Sequence, residues 1–152
     1  GRLDRPLDRG ARGEHRQAVA LVEKAIEIDP QRASAWFNLG FLLQQLGEHA
    51  DALRAFERAV ALDPKLDRAW YGSALSLIKL GRIEEAIAPL KKNTELQPMS
   101  PYGYYQLAHA WNQLGKRQNA IATIRHLSRF EPKVAKQLER EIGVDAGVPD
   151  PY

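Results

Sequence analysis

The stretch ASAWFNLGFLLQQLGEHADALRAFERAVALDPKL, residues 33–66, holds two amphipathic helices and the punctuation that separates them. Trp36, Leu39, Leu43 and Leu46 recur at intervals of three and four residues. That spacing keeps side chains on one face of a helix with 3.6 residues per turn. Gly47 follows, where a chain leaving a helix needs a left-handed residue that glycine adopts at least cost. Ala52, Phe56, Ala59 and Val60 then resume the helical spacing. Asp63-Pro64 closes the second helix, because proline disfavours helical geometry at the residue before it. The stretch reads as helix, glycine stop, helix, proline stop.

The same punctuation extends in both directions with a period of 34 residues. Glycines stand at Gly13, Gly47, Gly81 and Gly115, and alanines at Ala18, Ala52, Ala86 and Ala120. The proline pairs are Asp29-Pro30, Asp63-Pro64, Gln97-Pro98 and Glu131-Pro132. The alanine ladder marks where two helices approach closely and a larger side chain would clash. A fixed period of this length is the signature of stacked supersecondary units. The pattern predicts a lone helix over roughly 14–28, hairpins over about 33–62, 67–96 and 101–129, and a short helix over about 133–142. Val134, Leu138 and Ile142 carry the last of these. No segment alternates with the period of two that a strand requires. Pro89 falls inside the second helix of the middle hairpin. It is expected to leave the Glu85 carbonyl unpaired or to kink the helix. Residues 1–12 and 143–152 hold proline, glycine and charge without a period, and are expected to be flexible.

Residues 33–66 resemble a tetratricopeptide repeat through Trp36, Leu39, Gly40, Leu43, Ala52, Phe56, Ala59 and Pro64. Residues 67–100 resemble it through Trp70, Ser73, Ala74, Leu77, Ala86, Leu90, Asn93 and Pro98. Residues 101–134 do so through Tyr104, Leu107, Ala108, Trp111, Ala120, Ile124, Leu127 and Pro132. The resemblance implies an all-α fold, an α-solenoid coiled as a right-handed superhelix of antiparallel helical hairpins. It would have a half repeat at 13–32, three complete repeats at 33–66, 67–100 and 101–134, and a capping helix at 133–142. The repeat domain would thus span 13–142.

The implied function is a non-catalytic scaffold or adaptor that holds a peptide or protein segment in a concave groove lined by the first helices. Carried over position by position, the groove residues are Ser34, Phe37, Phe41, Gln44 and Gln45 of the first complete repeat. The second contributes Arg68, Tyr71, Leu75 and Lys79, with Ile78 beside them. The third contributes Tyr102, Tyr105, His109 and Asn112, with Gln113 at its edge. Phe37, Tyr71 and Tyr105 form an aromatic ladder, and aromatic side chains supply much contact area at low entropic cost. Chaperone-binding members of the family neutralise a terminal carboxylate with a clamp of Lys, Asn and Arg. Here Phe37, Phe41, Tyr102 and Gln106 stand at clamp positions, so that ligand is not implied. An asparagine ladder, used by members attached to glycosyltransferases, is broken after Asn38 by Gly72 and Gln106.

Composition narrows the function further. The chain has 152 residues, a formal net charge of +3 and no cysteine. Thiol chemistry is therefore excluded, while the compartment stays open. No apolar run approaches the roughly 20 residues that span a bilayer. His15, His49, His109 and His126 are not accompanied by the converging ligands that a metal needs. No nucleophile elbow, phosphate loop or dinucleotide fingerprint occurs, so neither an enzyme nor a cofactor is expected. Glu84-Glu85 and Glu139–Glu141 read as solvated helix faces, as do Lys116, Arg117, Arg125 and Arg129. Nucleic acid is not expected, because the groove is apolar and the basic excess is mild. Lys136, Glu139 and Arg140 are expected to point outward from the cap. The half repeat leaves an apolar flank on the helix at 14–28. Two expectations follow: a longer parent, as the recognition or accessory part of a larger enzyme or assembly complex, or a homo-oligomer formed through that end.

Overall fold

A computed structural model describes residues 7–150. Its helices are α1 Arg9–Ile28, α2 Ala33–Gln45, α3 His49–Leu62, α4 Asp67–Lys79, α5 Ile83–Leu96, α6 Pro101–Gln113, α7 Arg117–Ser128 and α8 Pro132–Ile142. Among the described residues there is no strand, and the fold class is the all-α helical repeat solenoid. The chain divides into two compact units, Gly1–Gly81 and Arg82–Tyr152. In the first, α2 packs on α1 and α3, and α4 packs on α3 and meets α2. In the second, α6 packs on α5 and α7, and α8 packs on α7 and α6.

The period of the sequence is a period of hydrogen bonds. Gly47, Gly81 and Gly115 have φ of +77°, +76° and +73°. Each turns the chain out of a first helix and donates back to it, to Gln44, Ile78 and Asn112 at 3.0 Å. Glu48 and Lys116, one residue on, reach Leu43 and Trp111 at 2.9 and 2.8 Å. This pair of bonds satisfies carbonyls that the helix end would leave unpaired. The aromatic residue near the start of each first helix has a matching role. Trp36 and Trp70 donate their indole N–H to the carbonyls of Pro30 and Pro64 at 2.8 Å. The Tyr104 hydroxyl donates to Pro98 at 3.0 Å. A ring with a donor at its tip packs the hairpin and ties down the preceding loop in one step.

Small residues set how closely the helices approach. Ala52, Ala86 and Ala120 are 0% exposed. Phe56 is buried on α3, and the backbones of Gly40 on α2 and Gly72 on α4 press against its ring. A Cβ at Gly40 would lie 2.7 Å from the ring and one at Gly72 2.6 Å from it, so glycine is required at both. The ring thereby fixes the spacing of α2, α3 and α4. α5 continues as one helix through Pro89, which is buried within it.

The structure differs from the sequence reading at both ends. Residues 9–12 are helical rather than a flexible leader, and residues 1–6 lie outside the described residues. Asp8 caps α1, its carboxylate accepting the Ala11 N–H at 2.7 Å. Gly13 therefore sits inside α1 and stops nothing. At the other end, Gly143 (φ +79°) ends α8 and residues 144–148 fold back. Val144, Ala146 and Val148 are buried in the core that also holds Ile124, Leu127, Ala135 and Leu138. The expectation of a flexible tail missed this because alternate small apolar residues carry no helical period. Residues 151 and 152 lie outside the described residues.

Candidate partner-binding face

In the first unit, the expected groove residues stand on α2 and α4. Ser34, Phe37, Phe41, Gln44 and Gln45 follow helical spacing along α2. Phe37 is half-buried and packs on Phe56 with ring centroids 5.8 Å apart. The Arg68 guanidinium of α4 lies 5.1 Å from the Phe37 ring centroid, a cation–π contact that links the two helices. Phe41, one turn on, is 46% exposed. Gln44 is not a free rim residue. Its amide donates to the Gly72 carbonyl at 3.0 Å and to the Ser76 hydroxyl at 3.1 Å, pinning α2 to α4. On α4, Tyr71 and Leu75 are half-buried, and Arg68 and Lys79 are exposed. Gln45 and Ile78 are half-buried, and Ser34 is exposed.

In the second unit the corresponding residues have a different surrounding. Tyr105 and His109 of α6 sit one turn apart with ring centroids 4.9 Å apart. Both reach Glu141 of α8: the tyrosine hydroxyl donates at 2.5 Å, and a histidine ring nitrogen lies 2.8 Å from the same carboxylate oxygen. Gln137 adds a third contact at 2.7 Å. The Tyr105 hydroxyl holds the Glu141 carboxyl below its ordinary value against the opposing effect of burial, with help from Gln137 and His109. Glu141 is therefore part of a polar cluster and not a solvated face. Asn112 is half-buried and Tyr102 is exposed.

Glu139 also departs from the outward position expected of it. It is buried, and its carboxylate accepts the backbone N–H groups of Ala146 at 2.7 Å and Val148 at 3.4 Å. Lys136 bridges Glu139 at 3.2 Å and donates to the Val148 carbonyl at 3.2 Å. Arg125, expected on a solvated basic face, donates to the Ala146 carbonyl at 2.9 Å. Burial pushes the Glu139 carboxyl up, but the Ala146 N–H, Lys136 and the Val148 N–H together hold it below the ordinary value. No local pattern reveals either glutamate, because their partners lie across tertiary contacts or in a turn without a period.

On the remaining surfaces, a cleft in the first unit is floored by Val19, Leu39, Leu43 and Ala55, with Trp36 at its side. Arg16–Glu48 and Arg54–Asp51 ion pairs rim it. His15 contacts the Ala11 carbonyl at 2.7 Å through Nδ1, and burial lowers the pKa of His49. Among the described residues no three His, Asp or Glu side chains gather as a metal set, and no helix is long and apolar enough to cross a membrane.

Comparison with known proteins agrees with this geometry. Tetratricopeptide repeat models match residues 33–66 and 67–98, and a TPR repeat model matches residues 11–47. No curated protein matches the chain by sequence. Solved structures of MamA share the fold. A crystal structure of MamA protein is 25% identical with a TM-score of 0.74, covering 80% of this chain and 67% of that one. A crystal structure of MamA is 20% identical with a TM-score of 0.77, covering 91% and 86%. MamA 41-end from Desulfovibrio magneticus RS-1 is 17% identical with a TM-score of 0.74, covering 88% and 86%.

Proposed function

The chain belongs to the tetratricopeptide repeat family, and from that premise we propose that it is a non-catalytic scaffold whose first unit holds a partner segment against α2 and α4. The observation that carries this reading is Phe41. It is a large apolar side chain, 46% exposed, beside the supported Phe37 ring, and its exposed part serves no contact within the fold. A partner with an aromatic or aliphatic anchor would cover it. Arg68 and Lys79 stand on the adjoining helix, so an acidic side chain beside the anchor suits the same face. The second unit holds an internal example of such docking. There α8 lies against α6 and presents Glu141 to Tyr105, the third rung of the aromatic ladder. The face serves equally whether the chain acts alone or as the recognition part of a larger enzyme or assembly.

Phe41→Glu and Tyr71→Ala test the reading in a pull-down with the intact chain, identified by mass spectrometry. A partner retained by the parent chain is expected to lose at least about 30-fold in affinity with Phe41→Glu, the scale of a hot-spot anchor. Far-ultraviolet circular dichroism should stay unchanged, since both sites are at the surface or half-buried. Undiminished affinity in both variants rejects the face.

A further inference from the structure

Beyond α8 the chain no longer continues the solenoid and instead lies on it as a strap. From Val144 to Val148 buried and exposed residues alternate: Val144, Ala146 and Val148 are 8%, 2% and 6% exposed, while Asp145 and Gly147 are open to solvent. The three apolar side chains enter the core that holds Ile124 and Leu127 of α7 and Ala135 and Leu138 of α8. The backbone of the strap is held by side chains. One Glu139 carboxylate oxygen accepts the N–H groups of Ala146 at 2.7 Å and Val148 at 3.4 Å. The carbonyls of the same two residues accept from Arg125 of α7 at 2.9 Å and from Lys136 of α8 at 3.2 Å. Among the described residues, no backbone–backbone hydrogen bond ties residues 145–148 to a helix. Side chains that read the donors and acceptors of alternate residues, with space for alternate apolar side chains, are the means by which a protein binds a peptide.

We infer that the surface of α7 and α8 under this strap is a second peptide-binding site, which the chain fills with its own residues 144–148 and yields to a partner segment of the same pattern. The occupant in place defines the ligand. It has a branched apolar residue, an alanine-sized residue two positions on, then glycine, then a second branched apolar residue. The residues matching Ala146 and Val148 must keep their N–H groups for Glu139, so proline is excluded at both. The strap is able to leave without unfolding what lies beneath it. α8 keeps its own anchors in Ala135 and Leu138, both 0% exposed, and its end stays closed by the Gly143 N–H on the Glu139 carbonyl at 2.8 Å. Once uncovered, the Glu139 carboxylate keeps Lys136 at 3.2 Å and gains water, so no charge is stranded. A short tether holds such a segment at an effective concentration of about 1 mM. With the strap released about 1% of the time, the same residues supplied in trans bind the open site with a dissociation constant of about 10 µM. The parent chain, occupied by its own strap, binds them about 100-fold more weakly. The site shares no residue with the face around Phe41 and Tyr71, so each stands or falls without the other.

A fluorescein-labelled peptide of residues 143–150, GVDAGVPD, titrated into full-length chains by fluorescence anisotropy, tests this. Ala146→Asp puts a charge where the strap is buried, so it should expel the chain's own segment and bind the peptide about 100-fold more tightly than the parent. Gly147→Ala is milder: it meets no neighbour within 4 Å and strains only the φ of +73°, so binding should tighten about fivefold. Adding Glu139→Gln to Ala146→Asp should weaken the peptide at least about tenfold, because the acceptor of both N–H groups loses its charge. Amide exchange in the parent chain gives a second readout. Ala146 and Val148 should exchange through local release of the strap, with protection of only about 100-fold, well below that of Leu138 in α8. Equal protection at all three amides overturns the inference. So does an Ala146→Asp chain of parent-like circular dichroism that binds the peptide no better than the parent. If that variant loses helical signal, Gly147→Ala decides, and no gain there overturns the inference as well. A heterodimer of Ala146→Asp with the parent chain, without uptake of free peptide, would assign the occupant to a second copy and overturn the reading of a separate partner.

Discussion

Replacing Phe56 by alanine, alone and together with Gly72→Ala, tests the packing that positions the proposed binding face. The Phe56 ring is 1% exposed and is pressed between the backbones of Gly40 and Gly72. Truncating such a ring costs about 3–5 kcal/mol, the removed transfer free energy plus the cavity left behind. Two of the surrounding helices present glycine, which has no side chain to lean into the space. The expected loss is therefore in the upper part of that range, about 4–5 kcal/mol. Gly72→Ala in the parent chain places a methyl group 2.6 Å from a ring that is buried on all sides. Overpacking of about 1–3 kcal/mol then outweighs the roughly 1 kcal/mol that alanine gains over glycine in a helix interior. The expected net effect is a loss of about 1 kcal/mol. In the Phe56→Ala background the clash is gone, the methyl group enters the vacated space, and the same substitution should stabilise by about 1 kcal/mol. The sign reversal amounts to a coupling of about 2 kcal/mol. Urea denaturation of the four chains, followed by tryptophan fluorescence and by circular dichroism, measures it. If Gly72→Ala has the same effect in both backgrounds within about 0.5 kcal/mol, the ring does not set the helix spacing and the reasoning fails.

The glutamate under the C-terminal segment should make the second unit acid-sensitive. Glu139 titrates lower in the folded protein than in the unfolded chain. Its stabilisation is therefore whole above the ordinary carboxylate value of about 4.3 and is lost as pH falls through the lower folded value. Glu139→Gln should cost about 1–3 kcal/mol at neutral pH and nearly nothing near pH 2. Thermal melts at the two pH values check this, together with amide exchange at Ala146; equal costs at both would refute it. The glycine ladder makes opposite predictions at two of its rungs. Gly115→Ala meets no neighbour within 4 Å but must keep φ near +73°, so it should destabilise by about 1 kcal/mol. Gly13→Ala also meets nothing within 4 Å but lies inside α1, so it should stabilise by about 0.5–1 kcal/mol in the same melts.

Those two glycines also show where the sequence speaks clearly and where it does not. Helix positions were legible throughout the repeats, because each rule there is local: a glycine after a first helix, a proline after a second, apolar residues every third or fourth position. Gly13 has the right register but no preceding helix to terminate, and Asp8 supplies an upstream cap instead. Pro132 likewise opens α8, whereas Pro30, Pro64 and Pro98 precede the helices that begin at Ala33, Asp67 and Pro101. The repeat rules fail at its two ends because they describe a unit with neighbours on both sides.

The candidate face divides along the same line. Positions carried over by register predicted which residues lie on the first helices, and Phe37, Phe41, Arg68 and Tyr71 are placed there by α2 and α4. Register does not say what else reaches them. Gln44 is spent on Gly72 and Ser76, a bond that depends on how α2 and α4 pack. Tyr105 and His109 are taken by Glu141, 36 and 32 residues away, on a helix whose start does not follow the repeat. The aromatic ladder therefore has unlike rungs. Its third is satisfied within its own unit, while Phe37 is held by Phe56 and Arg68 with Phe41 still open beside it. A partner gains most where apolar surface remains uncovered, because covering Phe41 removes it from water without displacing an existing contact. At Tyr105 any partner would first have to break a charge-assisted hydrogen bond to Glu141. Binding energy on this aromatic ladder should accordingly concentrate on α2 and α4, and Phe41→Glu should outweigh Tyr105→Phe in any partner assay.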